Sequence, residues 1–424
     1  MCEDNRIPAI DEGNRNFIIM DRNGRKEVAL IEVIGRGGSC LAYKAEKKEN
    51  GGATRAVVVK EYYPQESGVL NGLRYKREAV GKDIILESTD ETSTADQVRE
   101  RREKEIQRQR TNVRREVEIT NELAYDSRNV ENNPYAYYAE EWSSRGDSTY
   151  VIIDTNHGCT LRRLLRDHEG KIGIPKAITY TKELLYVAEQ MLFKPENSFC
   201  HADIKPENIY LEGMDSDNAD AENNGVPRII LLDFGSVFHP QDYQLAIDDV
   251  NEITEKEIKE RADKILYNEG IGCSTDGYRS KLIHDVYINK GAYNAVRSFK
   301  YAKRLVGSIN KIDNSVDIFS IVQCFFEMAV GEPYPFDIEP EIRDFEDKYK
   351  IDFAVAEQLI KIGNTNKSGY KTTAEINADL DELSAILNRD AIPQVLLAGV
   401  NSKFKGEYEN SKIDEGLFGN ISFE

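Results

Sequence analysis

Within six residues the chain sets a carboxylate, an ammonium and a carboxamide: Asp203, Lys205 and Asn208 of His201-Ala202-Asp203-Ile204-Lys205-Pro206-Glu207-Asn208-Ile209. Pro206 makes this stretch a loop, and the apolar residues after it read as a strand. A second carboxylate, Asp233, follows the next apolar run, Ile229 to Leu232, and heads Asp233-Phe234-Gly235. Transfer of a phosphoryl group to a hydroxyl needs an acceptor for the hydroxyl proton and cations spanning the phosphates, and this set of side chains suits that chemistry. An ordinary polar surface loop is the plain alternative for the segment taken alone.

Near the N-terminus, Ile34-Gly35-Arg36-Gly37-Gly38-Ser39-Cys40-Leu41-Ala42 lies between two β-rich runs, where glycines let backbone N–H groups come close to phosphates. A hairpin with no ligand would look the same in isolation. Val57-Val58-Val59-Lys60 follows on the next apolar run. Taken together, these segments resemble the protein kinases, in the order that family uses them: a glycine-rich loop, a strand lysine, a catalytic loop and an Asp-Phe-Gly motif.

The resemblance implies roles. Gly35 and Gly37 would cradle ATP, and Lys60 would hold its phosphates while pairing with a helix carboxylate. Glu116 in Arg115-Glu116-Val117-Glu118-Ile119 fits that carboxylate best because Val117 and Leu123 then share the packed face, with Glu118 the alternative. Asp203 would be the base, Lys205 would contact the transferred phosphate, and Asn208 and Asp233 would bind Mg2+. Ile152-Ile153-Asp154-Thr155-Asn156 resembles the hinge between lobes, where the backbones of Asp154 and Asn156 would bind the adenine; a plain strand end fits those residues equally well. Thr275 in Cys273-Ser274-Thr275-Asp276-Gly277-Tyr278 resembles the residue that contacts the base and lysine in serine/threonine kinases, and Asp317 the residue that braces the catalytic loop.

Several positions depart from the family. Cys40 stands where a third glycine is usual, and Ala42 and Val58 exchange the usual volumes of two adenine-facing residues. Ser280-Lys281-Leu282 replaces Ala-Pro-Glu, and Tyr370 stands in place of the arginine partner of that glutamate, so no buried charge would be left unpaired. Ala202 replaces the arginine that commonly receives a phosphate on the activation segment, which implies a site that does not depend on that modification.

The elements that would position these residues follow from periodicity. Val28 to Ile34, Cys40 to Glu46 and Arg55 to Lys60 read as an antiparallel meander. Residues 64 to 112 read as an insertion whose helix begins at Thr94 and Gln97, in capping-box spacing, and leads into a second helix over 113 to 123. Its arginines, Arg99, Arg101, Arg102, Arg108 and Arg110, suit a solvated face or an anion site. Two strands follow, near Tyr135 to Trp142 and Tyr150 to Asp154. Beyond Thr160 the pattern is mainly helical: Pro175 opens a helix with Ile178, Leu184, Leu185, Ala188, Met191 and Leu192 on one face. Thr254 and Glu257 cap another, bearing Ile258, Ala262, Ile265 and Leu266, which is either a flap over the substrate groove or passive decoration.

The fold expected is α+β and two-lobed, with a β-rich N-lobe and a mainly helical C-lobe. Residues 1–27 read as an extension, 28–155 as the N-lobe, 156–388 as the C-lobe with insertions at 213–227 and 240–270, and 389–424 as a tail without motif. Gly213 to Pro227 is acidic and Asn-rich, as disordered excursions are.

Composition bounds the partners. Fifty-six basic residues against 75 acidic ones leave a net charge of -19, which disfavours nucleic acid and anionic membranes. The six cysteines, at 2, 40, 159, 200, 273 and 324, have no paired short spacing, as expected of reduced thiols in a cytoplasm. Met1 to Asp11 is acidic without an apolar core, unlike a secretory signal, and Ile318 to Val330 is too short to span a membrane. The resemblance therefore implies a cytoplasmic serine/threonine protein kinase that uses ATP and Mg2+ on a protein substrate. A kinase-like nucleotide-binding scaffold and a small-molecule kinase are the alternative readings.

Overall fold

In the computed structural model the described residues are 7–13, 17–20, 27–36, 40–48, 52–62, 73–128, 135–194, 198–214, 227–244, 253–268, 270–272, 274–335 and 337–404. The chain is a mixed α/β protein with an N-terminal antiparallel sheet and a mostly helical remainder. It divides into two compact units, residues 1–334 with 369–373, and residues 335–368 with 374–424.

The first strands are β1 (Ile18–Met20), β2 (Glu27–Arg36), β3 (Cys40–Lys48) and β4 (Thr54–Tyr62). A separate hairpin, β5 (Leu73–Arg77) with β6 (Ile84–Ser88), precedes the long helix α1 (Ala95–Arg128). Strands β7 (Ala139–Arg145) and β8 (Ser148–Asp154) complete a six-stranded sheet in the order β1-β2-β3-β4-β8-β7. Alternation along β4 divides its side chains: Val57, Val59 and Glu61 are buried on one face, while Lys60 and Tyr62 face α1. The first face is covered by Ala9, Ile10, Phe17 and Ile19, so the stretch set apart as an N-terminal extension supplies an edge strand and part of the core.

Helix α1 replaces the two helices expected over 94–123. Thr94 and Gln97 do form the reciprocal cap, with Gln97 N donating to Thr94 Oγ1 at 3.3 Å and Thr94 N to Gln97 Oε1 at 3.0 Å. No proline or glycine interrupts the chain from Ala95 to Arg128, so nothing breaks the helix at 112. Four of the five arginines between 99 and 110 lie against carboxylates: Arg102 takes Asp147 in a two-bonded grip, Arg108 takes Glu105, Arg99 takes Asp96 and Arg101 lies 3.9 Å from Asp90. That leaves a salt-bridged helix face rather than a vacant anion site.

The helical part of the first unit begins with β9 (Gly158–Thr160), α2 (Leu161–Asp167) and α3 (Ile174–Met191), whose N-terminus carries Pro175. Strands β10 (Ile209–Glu212) and β11 (Arg228–Leu231) flank the 213–227 insertion, of which 215–226 lie outside the described residues, and pair with β9 in the order β11-β10-β9. Helix α4 (Glu255–Tyr267) carries the expected capping box, Thr254 with Glu257. Helices α5 (Lys281–Val296) and α6 (Phe299–Ile309) follow and form with α4 a core around Ile258, Ile265, Val286, Tyr293 and Leu305. Leu282 packs against that core. Helix α7 (Ser315–Val330) is buried on every face and packs on α3, which accounts for its unbroken apolar run.

The second unit holds α8 (Ile342–Tyr349), α9 (Phe353–Ser368) and α10 (Thr373–Phe404). The boundary read at 388 falls inside α10. Among the described residues no helix is long and apolar enough to cross a membrane.

Candidate active site

Lys60 and Tyr62 occupy alternate positions of β4 and therefore point the same way, toward α1. Lys60 Nζ lies 3.0 Å from Glu116 Oε1 and 3.0 Å from Asp233 Oδ1. Of the two candidate carboxylates on α1, Glu116 makes this pair and Glu118 is exposed. The helix sets Val113, Val117 and Thr120 against the sheet at three- and four-residue spacing, which turns Glu116 to the strand lysine. Burial works against the Lys60 ammonium, yet Asp233 and Glu116 together push its pKa well above the ordinary value. The same contact, led by the Lys60 charge, holds the Asp233 carboxyl below the usual range against the opposing effect of burial.

A residue that motif reasoning missed completes this corner. Tyr62 Oη donates to Glu116 Oε1 at 2.5 Å, and burial followed by the Glu116 charge raises the phenol pKa well above its ordinary value, so it stays protonated. Period-2 alternation from Lys60 is the signal that could have found it. Lys60, Glu116 and Asp233 line one pocket together with the apolar Val117, Ala139, Val151, Ile153 and Leu231.

The loop residues form a second cluster. Asp203 Oδ1 accepts from Thr275 N and Thr275 Oγ1, both at 2.9 Å. Lys205 Nζ bridges the same two residues, 2.7 Å from Asp203 Oδ2 and 2.7 Å from Thr275 Oγ1. Asn208 Nδ2 donates to the Asp203 carbonyl at 2.9 Å and to Oδ2 at 3.2 Å. Its own carbonyl accepts from Leu232 N at 2.9 Å, which brings Asn208 beside Asp233. An amide oxygen and a carboxylate so placed fit a hard cation that takes one or two protein oxygens and completes its shell with water and phosphate. Among the described residues no cluster of three or more His, Cys, Asp or Glu offers a fuller metal cage.

The loop conformation is strained and braced. Ala202 and Asp233 both have left-handed backbones, at φ 62° and 64°, which non-glycine residues adopt at a cost. The fully buried Asp317, at the start of α7, accepts from His201 N at 2.7 Å and from Ala202 N at 2.8 Å. Two main-chain donors thereby hold the backbone one residue before Asp203. Burial raises the Asp317 carboxyl pKa, with His201 and the two amides acting in the other direction. Arg162 of α2 adds a further tie, taking Glu207 at 2.7 Å and the carboxylate of Glu327 on α7.

At the segment read as a hinge, Asp154 N donates to Tyr138 O at 3.2 Å and Tyr210 Oη donates to Asn156 O at 2.9 Å. Gly158 is required by close approach, since a Cβ there would overlap the Leu211 carbonyl of β10. Ala42 lies opposite Lys60 and Val58 opposite Ile153 across the sheet ladders. Gly35, the residue before the last of β2, pairs with Ala42, whereas Gly37, Gly38, Ser39 and Cys273 lie outside the described residues.

No family model matches the chain, and no curated protein matches its sequence.

Proposed function

We propose that this chain is a serine/threonine protein kinase of two-lobed, kinase-like architecture that transfers the γ-phosphoryl group of ATP, with Mg2+, to a protein hydroxyl. The observation that carries the reading is the Asp203–Lys205–Thr275 cluster. It joins a carboxylate, an ammonium and a hydroxyl from segments seventy residues apart in one hydrogen-bonded unit.

In the proposed reaction the substrate hydroxyl oxygen attacks the γ-phosphorus, and the bond from that phosphorus to the bridging oxygen breaks to release ADP. Asp203 accepts the hydroxyl proton. Lys205, held between Asp203 and Thr275, faces the charge on the transferred group. Lys60, oriented by Glu116, would hold the non-transferred phosphates, while Asn208 and Asp233 would hold Mg2+, which neutralises phosphate charge when bound. Thr275, on the segment that presents substrate, favours a polypeptide over a small molecule.

The test incubates the purified chain with labelled ATP, Mg2+ and generic protein substrates beside Asp203→Asn. Phosphorylation should fall by roughly two orders of magnitude or more in the variant with nucleotide binding retained. Equal rates for the two proteins would overturn the assignment of the base. Nucleotide binding without turnover by the unaltered chain would identify a scaffold instead.

A further inference from the structure

Directly before Glu116, helix α1 carries an arginine that reaches the segment following Asp233. Arg115 donates to Asn268 Oδ1 at 2.7 Å and to the carbonyl of Val237, four residues after Asp233, at 2.5 Å. Both acceptors are neutral. Asn268 is the residue that closes α4, its N–H bonding back to Lys264 O. Its amide nitrogen donates to Tyr243 Oη at 2.7 Å and its carbonyl accepts from Lys290 Nζ at 2.7 Å, while Lys290 also takes Ile271 O at 2.8 Å. Two residues on, Gly270 lies so close to Gly235 that a Cβ would overlap the Gly235 carbonyl. The return from α4 is thus seated on the backbone of Asp233-Phe234-Gly235 and tied to α1.

We infer that Arg115 is a positioning residue: by gripping Asn268 and Val237 it holds α1 at the depth that places Glu116 on Lys60. This deepens the proposed kinase reading and rests on it for its consequence in catalysis. Both of its acceptors are present as soon as the chain folds, an amide and a main-chain carbonyl, so this tie forms without a phosphate. The inserted helix α4 is then neither a flap nor decoration but the support that carries Asn268. Desolvation lowers the Arg115 pKa from its ordinary value, in keeping with a cation taken out of water onto neutral partners.

The experiment compares the full chain with Arg115→Ala, Asn268→Ala and Asn268→Asp by hydrogen exchange of the α1 amides 113–120 and by kcat and KM for ATP. Arg115→Ala and Asn268→Ala should each speed exchange there about tenfold, because the helix loses its tie to the Asp233 segment. Asn268→Asp, which keeps the acceptor and adds charge, should restore protection. In the kinetics, Arg115→Ala should lower kcat about tenfold and raise the ATP KM, and it should cost nothing further in a Glu116→Gln background, since it acts through that residue. Should Arg115→Ala not fold, Asn268→Ala decides, as it leaves α1 unaltered. Unchanged exchange at 113–120 in the alanine variants, or fully multiplicative losses with Glu116→Gln, would overturn the inference. Faster exchange in a chain whose unaltered form transfers no phosphate would uphold the positioning role and remove the kinase reading.

Discussion

The hydroxyl of Tyr62 and the carboxylate of Glu116 meet at 2.5 Å, on the same oxygen, Oε1, that Lys60 approaches at 3.0 Å. One acceptor therefore serves a neutral and a charged donor from the same face of one strand. Both donors restrain the same carboxylate.

Tyr62→Phe removes only the hydroxyl from a residue that is 6% exposed. A buried hydrogen bond to a charged group is worth about 1.5–3 kcal/mol, so denaturant unfolding should show a loss of that order. The nucleotide KM should rise with it. A midpoint equal to that of the unaltered protein would mean that the hydroxyl does not restrain Glu116.

Behind the sheet, Glu61 is fully buried and accepts from Tyr43 Oη and Tyr150 Oη, each at 2.7 Å, and from the guanidinium of Arg77, itself buried. Arg77→Met leaves that carboxylate without its cation and should cost about 3–5 kcal/mol. The double variant Arg77→Met, Glu61→Leu should recover much of the loss in urea titrations. Equal destabilisation by the single and double variants would show that charge pairing is not what the site requires.

Acid should act through the Lys60–Asp233 pair. A carboxyl whose pKa is depressed by folding contributes stability that is present above its unfolded value, about 3.9, and is lost as pH falls through the folded value. The unaltered protein should therefore lose stability below about pH 4 more steeply than Lys60→Met, in which the depressing charge is gone. Parallel stability curves for the two proteins between pH 5 and about pH 2 would contradict the pairing.

Leu282 packs, partly buried, against the α4–α5–α6 core. Leu282→Glu places a carboxylate against apolar neighbours and should destabilise by about 1–3 kcal/mol in a thermal melt. An unchanged melting temperature would show that the side chain can reach water from there.

What could be read from the sequence was local. Asp203, Lys205 and Asn208 lie within one loop, Lys60 belongs to an alternating strand, and the caps Thr94 with Gln97 and Thr254 with Glu257 span three residues each. In each case the physics is contained in the spacing: period-2 alternation, the reach of one side chain to a backbone N–H, or the restricted φ of Pro206. Helix α5 and the β5–β6 hairpin were not legible, because their stability comes from the partners they pack on more than from their own periodicity, whereas α6 carries a helical apolar stripe of its own in Ala302, Leu305, Val306 and Ile309. The same holds for Arg115, whose acceptors lie 122 and 153 residues away and belong to no motif. The sequence alone decided which side chains could do the chemistry. Tertiary structure alone decided that Glu116 rather than Glu118 turns to Lys60, that Tyr62 shares its oxygen, and that Asp317 braces the backbone before Asp203. Those contacts join positions from 54 to 116 residues apart, and only the packing of α1 and α7 brings them within hydrogen-bond distance.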